Sequence, residues 1–227
     1  MNNKFTIKEN IFMAKKLLAE LIYNSAYIEG CNVTFPQTQT IIDGAVVSGV
    51  SVDDIQTVIN LRDAWKYLLQ SFDEPLTVSY ICKMNEHISR NESLEWGVLR
   101  TGKVGVAMGG EDYLPPIPIE KEVEKKLEEK NAITDVKKRA INYFAYGCRQ
   151  QLFWDGNKRT STLIANKILI EGGGGLLSIS KENAQEFNDS LLLYYKTEEI
   201  GNLEKCLIKC ISDTNKKFSF QKKSPQR

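Results

Sequence analysis

A chain of 227 residues is long enough to bury a sizeable core and suits one domain with an extension. Its 42% hydrophobic and 26% charged content is that of an ordinary folded globule. A net charge of +1 gives no whole-protein attraction to nucleic acid or to a membrane surface, so neither is expected as a partner.

Taken in chain order, apolar positions recur at helical spacing over residues near 9–28. Charges interrupt the run from Ile11 to Ile22, which reads as neither a signal segment nor a membrane span. The helix closes on Ser25-Ala26-Tyr27-Ile28-Glu29-Gly30, an acid at a helix end followed by a glycine stop. A second helix is expected near 37–46, after Phe35-Pro36. Ser51-Val52-Asp53-Asp54 resembles a capping box and opens a helix carrying Ile55, Val58, Ile59, Trp65 and Leu68. Another covers about 76–90, with Ile81, Met84 and Ile88 inward. His87, the chain's one histidine, lies beside that stripe and reads as structural rather than catalytic.

The stretch from Leu99 to Pro116 breaks the helical pattern. Val104-Gly105-Val106-Ala107-Met108 and Tyr113-Leu114 flank Gly109-Gly110, which signals a hairpin. A hairpin on a helical body exposes an edge that can add a partner's strand.

Helices near 119–130 and 134–150 lead into Gln151-Leu152-Phe153-Trp154-Asp155-Gly156-Asn157-Lys158-Arg159-Thr160, followed by an apolar helical run. A loop turning into a helix presents unpaired N–H groups where the peptide dipoles place partial positive charge, the ingredients of a phosphate site. Gly156 would let backbone approach a ligand, Arg159 can fork onto phosphate oxygens and Lys158 adds a point charge. Asp155 is a hard oxygen ligand of the kind Mg²⁺ takes beside nucleotide phosphates. The same residues also read as an Asx-type turn that ends one helix and caps the next, and residue chemistry leaves both readings open.

Gly172 to Gly175 stop the helix near 157–170. Ser180 is expected to cap a helix to about 196, and a last helix covers roughly 200–212. Cys206 and Cys210, one turn apart, mark a buried face of that helix. From 213 to 227 the sequence is polar and basic (Lys216, Lys217, Lys222, Lys223, Arg227) and reads as a flexible tail. The five cysteines, which include Cys31, Cys82 and Cys148, are odd in number and lack C-x-x-C spacing, so reduced thiols in a cytoplasmic setting are expected and a zinc centre is not.

The segment from Gln151 to Thr162 resembles the core motif of the Fic-domain family, H-x-F-x-D/E-G-N-G-R-x-x-R, with Phe153, Asp155, Gly156, Asn157 and Arg159 in register. Gln151 stands where the family has its catalytic histidine. Lys158 replaces the second glycine, as in the Doc-like branch, and Thr162 replaces the second arginine. Ser25, Glu29 and Gly30 resemble the S/T-x-x-x-E-G/N motif of the class with an N-terminal inhibitory helix, and the hairpin is similar to the family's flap. The resemblance covers about residues 20–170.

The resemblance implies an all-α, Fic-like helical domain with a small β-hairpin flap, spanning 1–227. Within it, 1–50 would carry the inhibitory-type motif and 51–212 the core and C-terminal helices. It implies ATP with Mg²⁺ on Asp155, phosphates held by Gly156, Asn157, Lys158, Arg159 and Thr160, and AMP transfer to a hydroxyl of a target protein docked on the flap residues Val104 to Met108. In the family the histidine takes the hydroxyl proton. A glutamine amide can orient a hydroxyl but has no basic nitrogen, so weak or lost transfer is the expectation. In the inhibitory class the glutamate pairs with the second arginine. Here that partner is missing, and Glu29 would reach Arg159 or Lys158 or be vestigial. A nucleotide- or target-binding module without chemistry is the alternative, with Doc-like γ-phosphoryl transfer third. Homodimerisation is left open.

Overall fold

The computed structural model describes residues 5–108, 110 and 112–223. Its helices are α1 Ile7–Lys16, α2 Leu18–Ile28, α3 Phe35–Ile42, α4 Val52–Gln70, α5 Val78–Ser89, α6 Glu120–Asn131, α7 Val136–Gln150, α8 Asn157–Gly172, α9 Ala184–Thr197 and α10 Gly201–Lys223. The fold is all-α, as the helical periodicity requires. No helix among the described residues is long and apolar enough to cross a membrane.

Local chemistry sets most boundaries. Thr6 and Glu9 form a capping box on α1, and Thr34 and Gln37 form one on α3, where Pro36 also sits in the first turn. Ser51, Thr77 and Asp135 accept the amides of Asp54, Tyr80 and Lys138 and so open α4, α5 and α7.

Helix α8 is the axis. Every residue from Asn157 to Ile170 is buried except Lys158, because α7, α5, α4 and α1 all pack on it. Ile141, Phe144, Ala145 and Cys148 of α7 meet Leu163, Ile164, Ile168 and Leu169 of α8 in one continuous core. Trp65 and Leu68 of α4 and Ile81, Met84 and Ile88 of α5 extend it. Asn166, fully buried in α8, is matched by the backbone of Leu177, whose N–H it accepts at 2.9 Å and whose carbonyl it donates to at 3.0 Å.

Three expectations are corrected. The helix expected over 9–28 is broken at Leu17 (φ −97°, ψ 6°) into α1 and α2, and α1 packs on α8. Ser180 caps no α-helix. A 3₁₀ turn, Lys181–Asn183, intervenes before α9 starts at Ala184. The flexible tail from 213 is also wrong as far as Lys223, since α10 continues through it with Phe218 buried. Residues 224–227 of that expected tail lie outside the described residues.

The hairpin reduces to one antiparallel bridge, Val106 with Tyr113, each N–H donating to the other's carbonyl at 2.9 and 3.0 Å. Gly109 of the expected glycine turn lies outside the described residues.

Candidate functional site

The six residues between α7 and α8 form a turn whose shape is dictated by its own side chains. Gln151 ends α7 in the left-handed region (φ 46°, ψ 61°), and Gly156 begins α8 in the same region (φ 72°, ψ 14°). Asn157 closes the turn. Its Oδ1 accepts the Phe153 N–H at 2.9 Å, and its Nδ2 donates to the Phe153 carbonyl at 2.9 Å and to Gln151 Oε1 at 3.0 Å. The other end of the Gln151 amide donates to the Cys148 carbonyl at 2.6 Å. From α5, Asn85 Nδ2 and Ser89 Oγ each donate to the Asp155 carbonyl at 3.0 Å, which fixes the turn's height over the core.

Helix α8 has no side-chain cap at Gly156. Its leading amides therefore stay open at the turn, with the positive end of the helix dipole behind them. Beside them lies a cavity of about 440 Å³ lined by Glu29, Gly105, Val106, Ala107, Gln151, Asp155, Asn157, Lys158, Asn188, Asp189, Leu191, Leu192 and Tyr195. Segments far apart in the chain, namely the end of α2, the flap, the α7–α8 turn and α9, thus share one wall system.

The charges within it are organised around Glu29. Its carboxylate stands 3.5 Å from Lys158 Nζ and 3.8 Å from Arg159 Nε. Arg159 is only 4% exposed and is also held by Glu92 and, at 3.3 Å, by Asp155. Burial acts to lower the Arg159 pKa, but Glu29, Glu92 and Asp155 together outweigh it and hold the guanidinium above its ordinary value. Tyr195 donates its hydroxyl to the Cys148 carbonyl at 3.2 Å, and burial pushes its phenol well up, so it stays protonated at neutral pH. Burial likewise pushes the Cys148 thiol up to about 12 and leaves it inert.

The structure brings together Glu29, Gly105, Val106, Ala107, Gln151, Asp155, Asn157 and Lys158. Val104 and Met108 do not line the cavity, and Ser25 lines a smaller recess with Glu29, Lys158, Arg159 and Thr162. Two residues expected to hold phosphate face elsewhere. Arg159 turns under the turn to its carboxylates. Thr160 is 2% exposed, with its hydroxyl accepting from Asn85 at 3.2 Å. At Gly156 a Cβ would lie 2.2 Å from Ser89 Oγ and 2.7 Å from Ile88 Cγ2, so the approach of α5 by itself requires a glycine there. The Asx-type capping reading does not hold: Asp155 Oδ1 accepts the adjacent Gly156 N–H at 2.6 Å rather than an amide two residues on, and no side chain caps α8.

Sequence reasoning missed the α9 wall, Glu92 and Arg100. Asn188, Asp189 and Tyr195 carry no spacing signal, and only folding sets them across from the motif.

Residues 75–169 match the model of the Fic/DOC family. Among curated proteins the chain is 28% identical over 189 residues to a protein adenylyltransferase Fic of Drosophila persimilis, covering 79% of this chain and 36% of that protein. It is 28% identical over 189 residues to the protein of the same name in Aedes aegypti, covering 78% and 37%. The chain thus spans little more than a third of these relatives' length. Among solved structures it superposes on Fic-1 from C. elegans with a TM-score of 0.78 at 21% identity, covering 94% of this chain and 67% of that one. A Fic domain containing signaling protein from Bacteroides thetaiotaomicron gives 0.74 at 20% identity, covering 95% and 91%.

Proposed function

The chain belongs to the Fic/DOC family, and on that premise we propose that its cavity seats ATP with magnesium and that the protein is of the adenylyltransferase type, transferring AMP to a target hydroxyl slowly because no base stands at position 151. The observation that carries this reading is the meeting of an uncapped helix N-terminus, Lys158 and the Asp155 carboxylate on one cavity wall that faces the flap.

Asp155 fits one position of a magnesium site. Its side chain is 50% exposed on the cavity wall, and its two oxygens accept one bond each, from Gly156 and from Arg159. A single carboxylate suits an ion whose other positions are taken by phosphate oxygens and water. When bound, the ion would neutralise phosphate charge. Lys158 and the open α8 amides would bind the phosphates, and α9 would close the opposite wall. Flap backbone on either side of the Val106–Tyr113 bridge suits the addition of a target's strand. Gln151 can orient a hydroxyl but cannot take its proton. Positioning and electrostatics remain, and phosphoryl-type transfers depend heavily on those terms.

A second reading, a binding module without chemistry, draws support from the Gln151 amide, whose two ends are engaged by Cys148 and Asn157 of its own turn.

Calorimetry with ATP and magnesium tests the seat. Binding is expected, weakened about tenfold or more by Lys158→Ala and by chelation of the metal. No heat at saturating ATP overturns the reading. With α-labelled ATP and a cell lysate, Gln151→His is expected to raise labelling by about 10²–10⁴-fold, the usual worth of a general base. ATP binding without such a gain selects the binding module, and label passing only from γ-labelled ATP selects phosphoryl transfer.

A further inference from the structure

Arg100 is 1% exposed, and among the described residues its guanidinium bonds only to backbone carbonyls. Nε donates to the Gln151 carbonyl at 2.5 Å and Nη1 to the Gly102 carbonyl at 2.6 Å. Nη2 donates to Pro116 at 2.6 Å, to Pro115 at 3.3 Å and to Gln150 at 3.4 Å. The Arg100 backbone N–H adds a bond to the Leu152 carbonyl at 3.0 Å.

These acceptors come from three places. Gly102 opens the first leg of the flap, Pro115 and Pro116 end the second leg, and Gln150 and Gln151 are the last carbonyls of α7 and the start of the motif turn. A buried cation needs compensation. Here the negative end of the α7 dipole and converging carbonyls supply it. Arginine alone offers five donors in a rigid planar fork, so lysine could satisfy only part of this set. No function drawn so far uses the residue, although it ties both legs of the flap to the one turn that carries Gln151.

We propose that Arg100 is a positioning residue that sets the flap's height over the motif turn and couples the two, so that a change at Gln151 is carried to the Val106–Tyr113 bridge. The coupling rests on the nucleotide reading above, whereas the positioning does not. The second leg passes through Tyr113, whose ring lies 4.3 Å from the Arg149 guanidinium and stacks at 5.9 Å on Tyr195 of the cavity wall. The flap is thus anchored at its base by Arg100 and along its side by α7 and α9.

Amide hydrogen exchange on the ligand-free protein tests the positioning. In Arg100→Lys, protection at the Val106 and Tyr113 amides is expected to fall at least tenfold, while Ile168 in α8 and the melting temperature change little. Equal protection in the variant and the parent overturns the proposal, and so does a uniform loss that includes Ile168. If the variant does not fold, the unaltered protein decides by NMR. A slowly exchanging Arg100 Nε–H with resolved Nη signals is expected, and exchange as fast as at Arg90, whose side chain is 41% exposed, overturns the proposal. Adding ATP and magnesium then tests the coupling. Protection at Val106 is expected to rise in the parent and not in Arg100→Lys. A rise in both overturns the coupling, whereas failure of the parent to bind ATP in calorimetry removes the nucleotide reading and leaves the ligand-free result standing.

Discussion

Glu29 sits 3.5 Å from Lys158 and 3.8 Å from Arg159, and the two cations are not equivalent partners. Lys158 is 34% exposed and lines the cavity. Arg159 is 4% exposed and keeps Glu92 and Asp155 whatever Glu29 does. On the proposed reading, Glu29 would act on a nucleotide chiefly by occupying Lys158 and by repelling phosphate. A pair this exposed is worth about 0.2–1 kcal/mol, and the carboxylate–phosphate repulsion it relieves is of similar size. Glu29→Ala is expected to tighten ATP–magnesium binding about tenfold, as read by calorimetry. Glu92→Ala serves as the contrast. It breaks a buried pair, so a stability loss of about 2–4 kcal/mol is expected, with no gain in affinity. Equal affinity in Glu29→Ala and the parent would sink the assignment of Lys158 as the contested cation. At this scale the motif's identities were legible and its directions were not. Arg159 and Thr160 look like ligands in sequence because an i, i+1 pair gives no sign of which side of α8 each occupies. Besides Asp155 of its own turn, the acids that claim Arg159 come from the end of α2 and from the loop after α5.

The start of α4 was legible because caps are local chemistry and Ser51 announces itself, whereas the Thr34–Gln37 capping box went unread and the helix expected near 37–46 spans Phe35–Ile42. The extension of α10 was not legible, because its inward stripe is Ile211, Asn215 and Phe218, with an asparagine where an apolar residue would have marked it. Asn215 serves the glycine run after α8. Its Oδ1 accepts the Leu176 N–H at 3.1 Å, and its Nδ2 donates to the Gly174 carbonyl at 3.4 Å. Gly175 leaves it room, since a Cβ there would lie 2.1 Å from the amide. Removing the acceptor strands a buried N–H, so Asn215→Ala is expected to cost about 1–3 kcal/mol. Phe218→Ala, which empties a buried ring site against Phe12, should cost about 3 kcal/mol. Lys216→Ala, between them and facing solvent, should stay within about 0.5 kcal/mol. Chemical denaturation separates these outcomes. Three near-neutral variants would mean that α10 contributes no packing beyond 213.

At the scale of the whole molecule, the all-α class was legible because apolar periodicity is a property of each segment. The α9 wall was not, because its place opposite the motif depends on how α7, α9 and α10 pack. His87 shows the same division. Its stripe neighbours Ile81, Met84 and Ile88 are buried as their spacing requires, but its stacking on Tyr67 of α4, at 4.9 Å between ring centroids, is a tertiary fact. Nδ1 is buried with no hydrogen-bond partner among the described residues. Burial holds the imidazole pKa below its ordinary value, Arg90 and Lys83 push the same way, and Glu86 and Asp63 only partly oppose them. The unfolded chain therefore binds that proton more tightly, so stability is full above about pH 6.5 and falls as the pH drops through that value. With one histidine in the chain, this fall belongs to a single side chain between the carboxylate and amine ranges. Because the ring is partly exposed, solvent screening keeps the effect to about 1 kcal/mol or less, or at most about 2–4 °C in melting temperature. The parent is expected to lose that much between pH 7.5 and 5.5, whereas His87→Phe, which keeps a ring on Tyr67, should give a flat profile. Identical slopes for the two proteins would place the acid sensitivity outside the α4–α5 contact.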